Sequence, residues 1–524
     1  MQNINKFKKE QNATFAKNVM MLAAAQIIVK ILGLVYKIVI LNIDGFGNEG
    51  SGFYNTGYQL YMVLLSISSI GIPNVVSKMV SERIALGDWK GAKNVFKATL
   101  KLVSSVGFIL AFLMFIFAKP ISVFLFKSAG VSYTLMALAP AVLFVSINSV
   151  LRGYFTGLGS LKSTSISEII EQLFNCILSI GFVLLAVGSD TAIMAAAGNL
   201  STSVAVLISL GYMVSYYLLR RKYIKYECDN QEGEFQLLPT SKLIKNIAVL
   251  AIPASFASLV STLSSNIDSI TVNRYTGSVE AYGLMSKTET LTHLPLALGA
   301  TLFIAIVPVI SSKITVGDTE GAERQLSDTM FLNTIIMLPC AAGFIVLAEP
   351  ILKLLFPNVS DGAVLLQLQT VAMLFASVAF VLNGVFYGIG KQKHPAIILL
   401  LGALLKLILN ILVLSYFDLG VLGAIIATII YQALVTIAEW VVLNKYIRIK
   451  INLDKQFLRP LLATFIMCAP VFMVQKILVG ITGNTISTIV SIAVGVIVYC
   501  IMLMLLKIIS PKDIIKLIKN RDKI

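Results

Sequence analysis

The sequence predicts an all-α polytopic membrane protein with about fourteen transmembrane helices. Three observations support this: the composition, the placement of charge, and an internal repeat. Of the 524 residues, 57% are hydrophobic and 13% are charged, and the mean hydropathy is +0.87. An ordinary soluble domain carries about twice that share of charged residues, so the composition excludes a water-soluble protein.

The apolar stretches are long enough to cross a bilayer, since a spanning helix needs about 20 apolar residues. The predicted spans are residues 15–41, 54–80, 94–118, 131–155, 164–187, 192–219, 246–272, 282–311, 328–348, 362–388, 395–416, 420–444, 459–479 and 485–507. We interpret the first span as an uncleaved helix, because its apolar run is too long for a signal peptide and no small-residue cleavage site follows it.

Basic residues collect in every second connection between the spans, and the net charge is 42 − 26 = +16. Such a distribution indicates membrane orientation and not nucleic-acid binding, because connections rich in Lys and Arg stay in the cytoplasm. The longest polar connection, residues 220–246, falls on this side, as do the basic N-terminus and the basic tail around residues 512–523. We therefore expect both termini to face the cytoplasm.

Metal and cofactor chemistry is not expected. The five cysteines are scattered without a CxxC pair, and His293 and His394 are the two histidines. Neither a disulfide framework nor a zinc site follows from such spacing. The short outer connections also leave no room for an extramembrane catalytic domain, so we do not expect an enzyme.

The second half of the chain repeats the first. Residues 87–92 (GDWKGA) return as 317–322 (GDTEGA), at an offset of 317 − 87 = 230, and residues 118–121 (AKPI) return as 348–351 (AEPI) at the same offset. An even number of spans in each copy predicts two parallel six-helix repeats with a cleft between them, the arrangement of an alternating-access transporter. The predicted divisions are a first lobe at 1–230, a second lobe at 231–455, and two extra helices with a basic cytoplasmic tail at 456–524.

Two further features of the repeat have structural interpretations. We expect the GDxxGA motif to form the turn and N-cap of an amphipathic cytoplasmic helix that joins two spans. Gly153 and Gly157 return as Gly384 and Gly388, at an offset of 384 − 153 = 231. This pattern predicts close packing of helices at both places.

Charged side chains inside spans are the candidate functional residues, because each is costly in a bilayer. Lys30 and Lys37 lie seven residues apart on the first span, so they share one face and are about 10 Å apart along the axis. Lys37 can also extend to the outer surface, whereas Lys30 is too deep for this and is expected to line a wet cavity. Two stacked ammonium groups suit an anionic substrate such as a phosphate or diphosphate.

Polar residues on the second, seventh and eighth spans are expected to complete one central hydrophilic cavity. The predicted cavity residues are Asn55, Gln59, Arg274 and Lys287, and the predicted coupling or ion-pair residues are Asp268, Glu289 and His293. Several roles remain open. Asp268 either pairs with Lys37 or Lys287 or couples transport to a cation or proton, and Arg274 either caps its helix or contacts substrate.

Residues 45–47 (GFG), Tyr54, residues 71–82 (GIPNVVSKMVSE) and residues 87–88 (GD) resemble the polysaccharide transporter branch of the multidrug/oligosaccharidyl-lipid/polysaccharide exporter superfamily. Within that branch the chain is similar to the stage V sporulation protein B and MurJ-like lipid II flippases. The resemblance covers nearly the whole chain. It implies a V-shaped pair of lobes, a cationic central cavity, and flipping of undecaprenyl-diphosphate-linked sugars to the outer leaflet.

The resemblance also implies site residues and partners. The cavity cations of the family fall here on Lys30, Lys37 and Arg274, with lysines where members often have arginine on the first helix. The expected partners are a lipid-linked oligosaccharide, membrane lipids and envelope glycan synthases, and we expect a monomer in the bacterial plasma membrane. Coupling to H⁺, Na⁺ or the membrane potential is left open. We expect no cofactor and no nucleic-acid partner.

Three other functions are compatible with parts of the sequence. A cation-coupled multidrug exporter of the same superfamily would rely on acids such as Asp268 and Glu289, and the basic first helix argues against it. A membrane-embedded glycosyltransferase would need a carboxylate or metal constellation at one membrane face, which the short outer loops do not offer. A purely structural scaffold also fits the duplication, because architecture alone does not prove activity.

Overall fold

The computed structural model describes residues 15–508, apart from positions 70, 232, 234, 236–238, 418 and 450–451. The basic N-terminus and the basic tail around 512–523 lie outside the described residues. Within the described part all regular structure is helical, as the composition predicts. The helices are α1 (Phe15–Leu41), α2 (Gly47–Ser68), α3 (Ile72–Ala85), α4 (Trp89–Ile116), α5 (Ala118–Phe126), α6 (Val131–Gly157), α7 (Leu161–Leu185), α8 (Thr191–Asp229), α9 (Thr240–Thr276), α10 (Val279–Thr315), α11 (Thr319–Val346), α12 (Ala348–Leu355), α13 (Ala363–Gly388), α14 (Lys393–Tyr416), α15 (Gly420–Leu443) and α16 (Arg459–Leu505), with a π-helical turn at Asp454–Leu458 before α16.

Eleven helical stretches of the described residues are long and apolar enough to cross a membrane, which confirms the polytopic class. The predicted span 54–80 is interrupted, because α2 ends at Ser68 and α3 begins with Pro73 in its first turn. Proline is favoured there because the first-turn amide has no partner within the helix. The last two predicted spans form the two halves of α16, which is broken at Gly483 with φ 77° and ψ 173°.

The chain divides into two compact units, Met1–Gly283 and Leu284–Ile524. In the first, helices α3, α4, α6 and α8 enclose a core that includes the rings of Phe96, Tyr154 and Phe155. In the second, α10, α11, α13 and the end of α15 enclose the other core, around Phe386. These units are defined by the contacts between residues. The lobes at 1–230 and 231–455 are defined by the sequence repeat, and they stay a prediction.

The GDxxGA motif forms the same turn in both copies. The Asp88 carboxylate accepts a hydrogen bond of 2.7 Å from the Gly91 amide, and the Asp318 carboxylate accepts one of 2.8 Å from the Gly321 amide. Each aspartate is therefore an N-cap, as predicted. The helices that they begin, α4 and α11, are spanning helices and not separate amphipathic connectors, because each continues without a break into an apolar stretch.

The repeated glycines pack helices closely in both units, which confirms that interpretation. A methyl group on Gly157 would come within 2.8 Å of Val80 Cβ, and one on Gly388 would come within 2.7 Å of Ile310 Cβ. Val80 and Ile310 are themselves related by the offset 310 − 80 = 230. The same close contact is thus made by corresponding residues of the two copies.

Candidate functional site

Helix α1 carries the two predicted cavity lysines in the first unit. Lys30 is exposed and Lys37 is half-buried. The helix packs along α7, where the position of a Cβ on Gly33 lies 3.5 Å from Gln172 Nε2. In the described residues Lys30 has no acidic partner within ion-pair distance, so its ammonium group is available to an anion.

A cluster of tyrosines borders this part of α1, and the sequence analysis missed it. The hydroxyl oxygens of Tyr36 and Tyr54 lie 3.3 Å apart. The Tyr54 and Tyr58 rings stack with centroids 6.3 Å apart, and Tyr61 follows at 5.5 Å from Tyr58. The spacing 54, 58 and 61 on α2 places three rings on one helix face, which is the pattern that could have revealed the cluster.

The two predicted polar residues of α2 lie on the turns that carry these tyrosines. Asn55 donates from Nδ2 to the Ser51 carbonyl at 2.9 Å and to Ser51 Oγ at 3.1 Å. Gln59 is half-buried one turn further on.

A half-buried ion pair links α6 and α7 in the first unit. Arg152 on α6 donates to the Glu171 carboxylate at 2.7 Å and to Ser167 Oγ at 3.0 Å. Arg152 also donates to Ser209 on α8 at 3.2 Å. This network links three helices. Helical periodicity alone does not predict that Glu171 has an arginine partner on the preceding span.

The predicted residues of α9 have different surroundings. Asp268 is buried, at 3% exposure. Arg274 donates from Nη1 to the Phe124 carbonyl at 2.6 Å, and its guanidinium lies 6.0 Å from the centre of the Phe124 ring. Phe124 is in the last turn of α5, where carbonyl groups have no partner in their own helix. Arg274 therefore caps the end of α5 and not of its own helix.

The predicted residues of α10 lie in the second unit. Lys287 is 1% exposed, and its Nζ lies 2.8 Å from Asp361 Oδ1 and 2.5 Å from the Val359 carbonyl. It thus pairs with Asp361. One turn apart, Glu289 Oε1 and His293 Nε2 lie 3.6 Å from each other.

The structure therefore brings Lys30, Lys37, Asn55 and Gln59 to neighbouring helices of one unit, whereas Arg274 and Lys287 are held by other groups. No cluster of three or more potential metal ligands occurs among the described residues. The α1 lysines and the polar turns of α2 stay the predicted binding site for an anion.

Comparisons with known proteins show which proteins the chain is similar to. The family described as "Polysaccharide biosynthesis protein" matches residues 15–313, and the family "Lipid II flippase MurJ" matches residues 234–493. Stage V sporulation protein B of Bacillus subtilis is 25% identical over 517 residues, which cover 96% of this chain and 97% of that protein. Lipid II flippase MurJ of the same organism is 26% identical over 430 residues, 76% of this chain and 77% of the relative.

Solved structures show the same fold. The lipid II flippase MurJ in an inward closed conformation matches with a TM-score of 0.69 at 17% identity, over 92% of this chain and 98% of that one. An inward-facing multidrug resistance MATE family transporter of the MOP superfamily matches with a TM-score of 0.68 at 16% identity, over 81% and 96%. Because the first family match spans more than half of the sequence, the chain belongs to the polysaccharide biosynthesis protein family.

Proposed function

We propose that the protein is a flippase that moves a polyprenyl-diphosphate-linked oligosaccharide, lipid II or a related cell-envelope glycan precursor, from the inner to the outer leaflet by alternating access. The observation that carries the proposal is similarity over most of the chain to a protein named as a lipid II flippase and to a sporulation protein. The known fold of these relatives fits the all-helical chain.

The chemistry of α1 supports an anionic substrate. Lys30 and Lys37 provide two positive charges on one helix face, about 10 Å apart along the axis. The lysine ammonium group is a compact charge and lacks the planar guanidinium group of arginine, which binds phosphate through two hydrogen bonds at once. Lysine can therefore bind a diphosphate in more than one orientation. The polyprenyl chain would stay in the lipid while the head group crosses beside these lysines.

A cation-coupled multidrug exporter is the second candidate, because a MATE transporter shares the fold. Such a transporter would need an available acid in its cavity. The Glu289 carboxylate lies beside His293, and its side chain is 22% exposed, whereas the exposed ionic group of α1 is a lysine. The charge of α1 therefore favours an anionic cargo.

We also propose the arrangement in which this transport takes place. Both termini face the cytoplasm of the bacterial cell, and the protein works as a monomer that receives its substrate from glycan synthases. Asn55 and Gln59 contact the sugar or diphosphate beside the lysines, while Asp268, Glu289 and His293 are the groups to test for ion coupling. Arg274 and Lys287 can join the site only if their present contacts open.

The test is transport of fluorescent undecaprenyl-diphosphate-linked disaccharide across liposomes that contain the purified protein. We expect protein-dependent movement that falls at least about tenfold in Lys30→Ala and Lys37→Ala, and less in Lys30→Arg and Lys37→Arg. Lys353→Ala, a change at an exposed lysine paired with Glu349, is the matched control and should transport normally. Efflux of a cationic dye without movement of the lipid would refute the flippase and support the exporter.

A further inference from the structure

One face of α4 carries a row of lysines that the proposed function does not use. Lys90, Lys93, Lys97 and Lys101 follow one another at spacings of three, four and four residues. Side chains at these spacings lie on one side of a helix. Lys97 and Lys101 are exposed, and neither has an acidic partner within ion-pair distance among the described residues. Lys97 and Lys101 therefore provide available positive charge on this face.

The same face becomes apolar further along the helix. Ser104 and Ser105 come next, followed by Phe108 and Phe112, whose side chains are 59% and 54% exposed. The two phenyl rings stack with centroids 6.1 Å apart. From Lys101 to Phe108 the rise is about 10 Å. Charge, hydroxyl groups and aromatic rings thus succeed one another along a single exposed strip.

A groove opens beside this strip, between α4 and α6. Its volume is about 470 Å³, and it is lined by Ser104, Ser105, Phe108, Ile109 and Leu143. Gly107 allows these two helices to approach closely, since a methyl group there would come within 2.6 Å of Ser146 Oγ. The groove is open and mostly apolar. Such a surface suits an acyl chain and not a polar small molecule.

The repeat provides an internal comparison for this face. At the offset of 230, the four lysines correspond to Glu320, Glu323, Ser327 and Phe331 on α11. There, Ser327 Oγ lies 2.6 Å from Gln456 Nε2, and α16 packs along α11. The second copy therefore covers the corresponding face with the chain's own C-terminal segment and has no lysine row, so the fold itself does not require one.

We propose that this strip of α4 binds an anionic diacyl phospholipid, with its phosphate at Lys97 and Lys101 and one acyl chain in the groove beside Phe108. The order of side chains matches the order of head group, glycerol region and hydrocarbon in a leaflet. Lysines close to an anionic membrane surface are attracted to its head groups. The inference does not depend on which substrate the protein transports.

The experiment measures which lipid occupies the groove. Trp89→Phe and Trp440→Phe remove both tryptophans, and Phe108→Trp then places one reporter in the groove. In bilayers containing dibrominated phosphatidylglycerol or dibrominated phosphatidylcholine, quenching gives the relative occupancy of the two lipids. We expect phosphatidylglycerol to be preferred about fivefold or more. Ile177→Trp, at an exposed apolar position of α7, is the control reporter and should show a ratio close to one.

Charge variants then test the lysines. Lys97→Gln with Lys101→Gln should bring the Phe108→Trp ratio close to that of the control, whereas Lys97→Arg with Lys101→Arg should keep the preference. If the first reporter does not fold, Phe112→Trp reads the same strip. A ratio that equals the control, or that the glutamines leave unchanged, would overturn the proposal. So would displacement of the lipid by inorganic phosphate, or stronger displacement by undecaprenyl diphosphate than by phosphatidylglycerol.

Discussion

The ammonium group of Lys287 lies 2.8 Å from the carboxylate of Asp361, although Lys287 is buried and the Asp361 side chain is 55% exposed. The lysine also contacts the Val359 carbonyl, and its Nζ lies 5.9 Å from the centre of the Phe356 ring. The connection between α12 and α13 thus neutralises a charge that α10 buries. A buried ammonium group without such partners is strongly unfavourable.

This pair should show strong coupling in a double-mutant cycle. Asp361→Asn removes the negative charge and leaves the buried ammonium, so we expect a loss of about 1–3 kcal/mol of stability. Lys287→Met removes the charge that needs a partner, and the double variant Lys287→Met with Asp361→Asn should be more stable than Asp361→Asn alone. Thermal unfolding in detergent measures all four proteins. Additive losses would contradict the structural pairing.

Close packing at Gly153 gives a second prediction. A methyl group on this glycine would come within 2.8 Å of the Pro73 backbone, which cannot move aside as a flexible side chain can. We expect Gly153→Ala to destabilise the protein by about 1–3 kcal/mol. The control is Gly181→Ala, because no atom lies within 4 Å of the added carbon there.

Thermal unfolding compares the two glycine variants. Gly181→Ala should be neutral or slightly stabilising, since alanine favours a helix by about 1 kcal/mol over glycine. Equal stability of Gly153→Ala and the wild type would show that α3 and α6 are further apart than described.

The spans could be predicted from sequence because each is a long apolar run, and such runs have few alternatives in a bilayer. The partners of the charged side chains inside the helix bundle could not be predicted. Lys287 pairs with a residue 74 positions away, and Arg152 pairs with Glu171 across a turn between two spans. Helical periodicity shows which residues share a face of one helix, but it does not show which helix lies opposite.

The GDxxGA turns show one feature that the sequence predicts and one that it does not. The N-caps at Asp88 and Asp318 follow from local geometry, because the side chain bonds an amide three residues on. The motif does not show how far the helix continues after the cap, so the prediction of an amphipathic cytoplasmic helix between two spans was wrong. The lysine row of α4 was visible in the spacing, but its exposure was not.

The N-cap at Asp318 should make stability depend on pH. The backbone amide of Gly321 donates to the carboxylate and holds the pKa of Asp318 below its ordinary value of 3.8, and Lys313 at 3.5 Å acts in the same direction. Because the folded-state pKa is lowered, the stabilisation is present above the unfolded-state pKa and is lost as the pH falls through the folded-state pKa. We therefore expect Asp318→Ala to lower the melting temperature at neutral pH and to converge with the wild type in acid.

Asp318→Asn is the control for that measurement. Its amide oxygen can still accept from Gly321, so the cap persists without a titrating group. The difference between Asp318→Asn and Asp318→Ala should be the same at neutral and acidic pH. A melting-temperature gap between the wild type and Asp318→Ala that stays constant into strong acid would contradict this assignment.

The break in α16 provides the last prediction. Gly483 has φ 77° and ψ 173°, a backbone conformation that essentially only glycine adopts, and it separates the two halves of the helix. Gly480, three residues earlier, is helical and has no atom within 4 Å of an added Cβ. Both glycines are exposed, so Gly483→Ala and Gly480→Ala differ in backbone strain and not in packing.

We expect Gly483→Ala to lower the free energy of unfolding by about 1–3 kcal/mol. Gly480→Ala should be as stable as the wild type or more stable. Size-exclusion chromatography after heating gives the midpoint temperature of unfolding of each variant. Equal midpoints for the two variants would mean that the two halves of α16 join as a continuous helix.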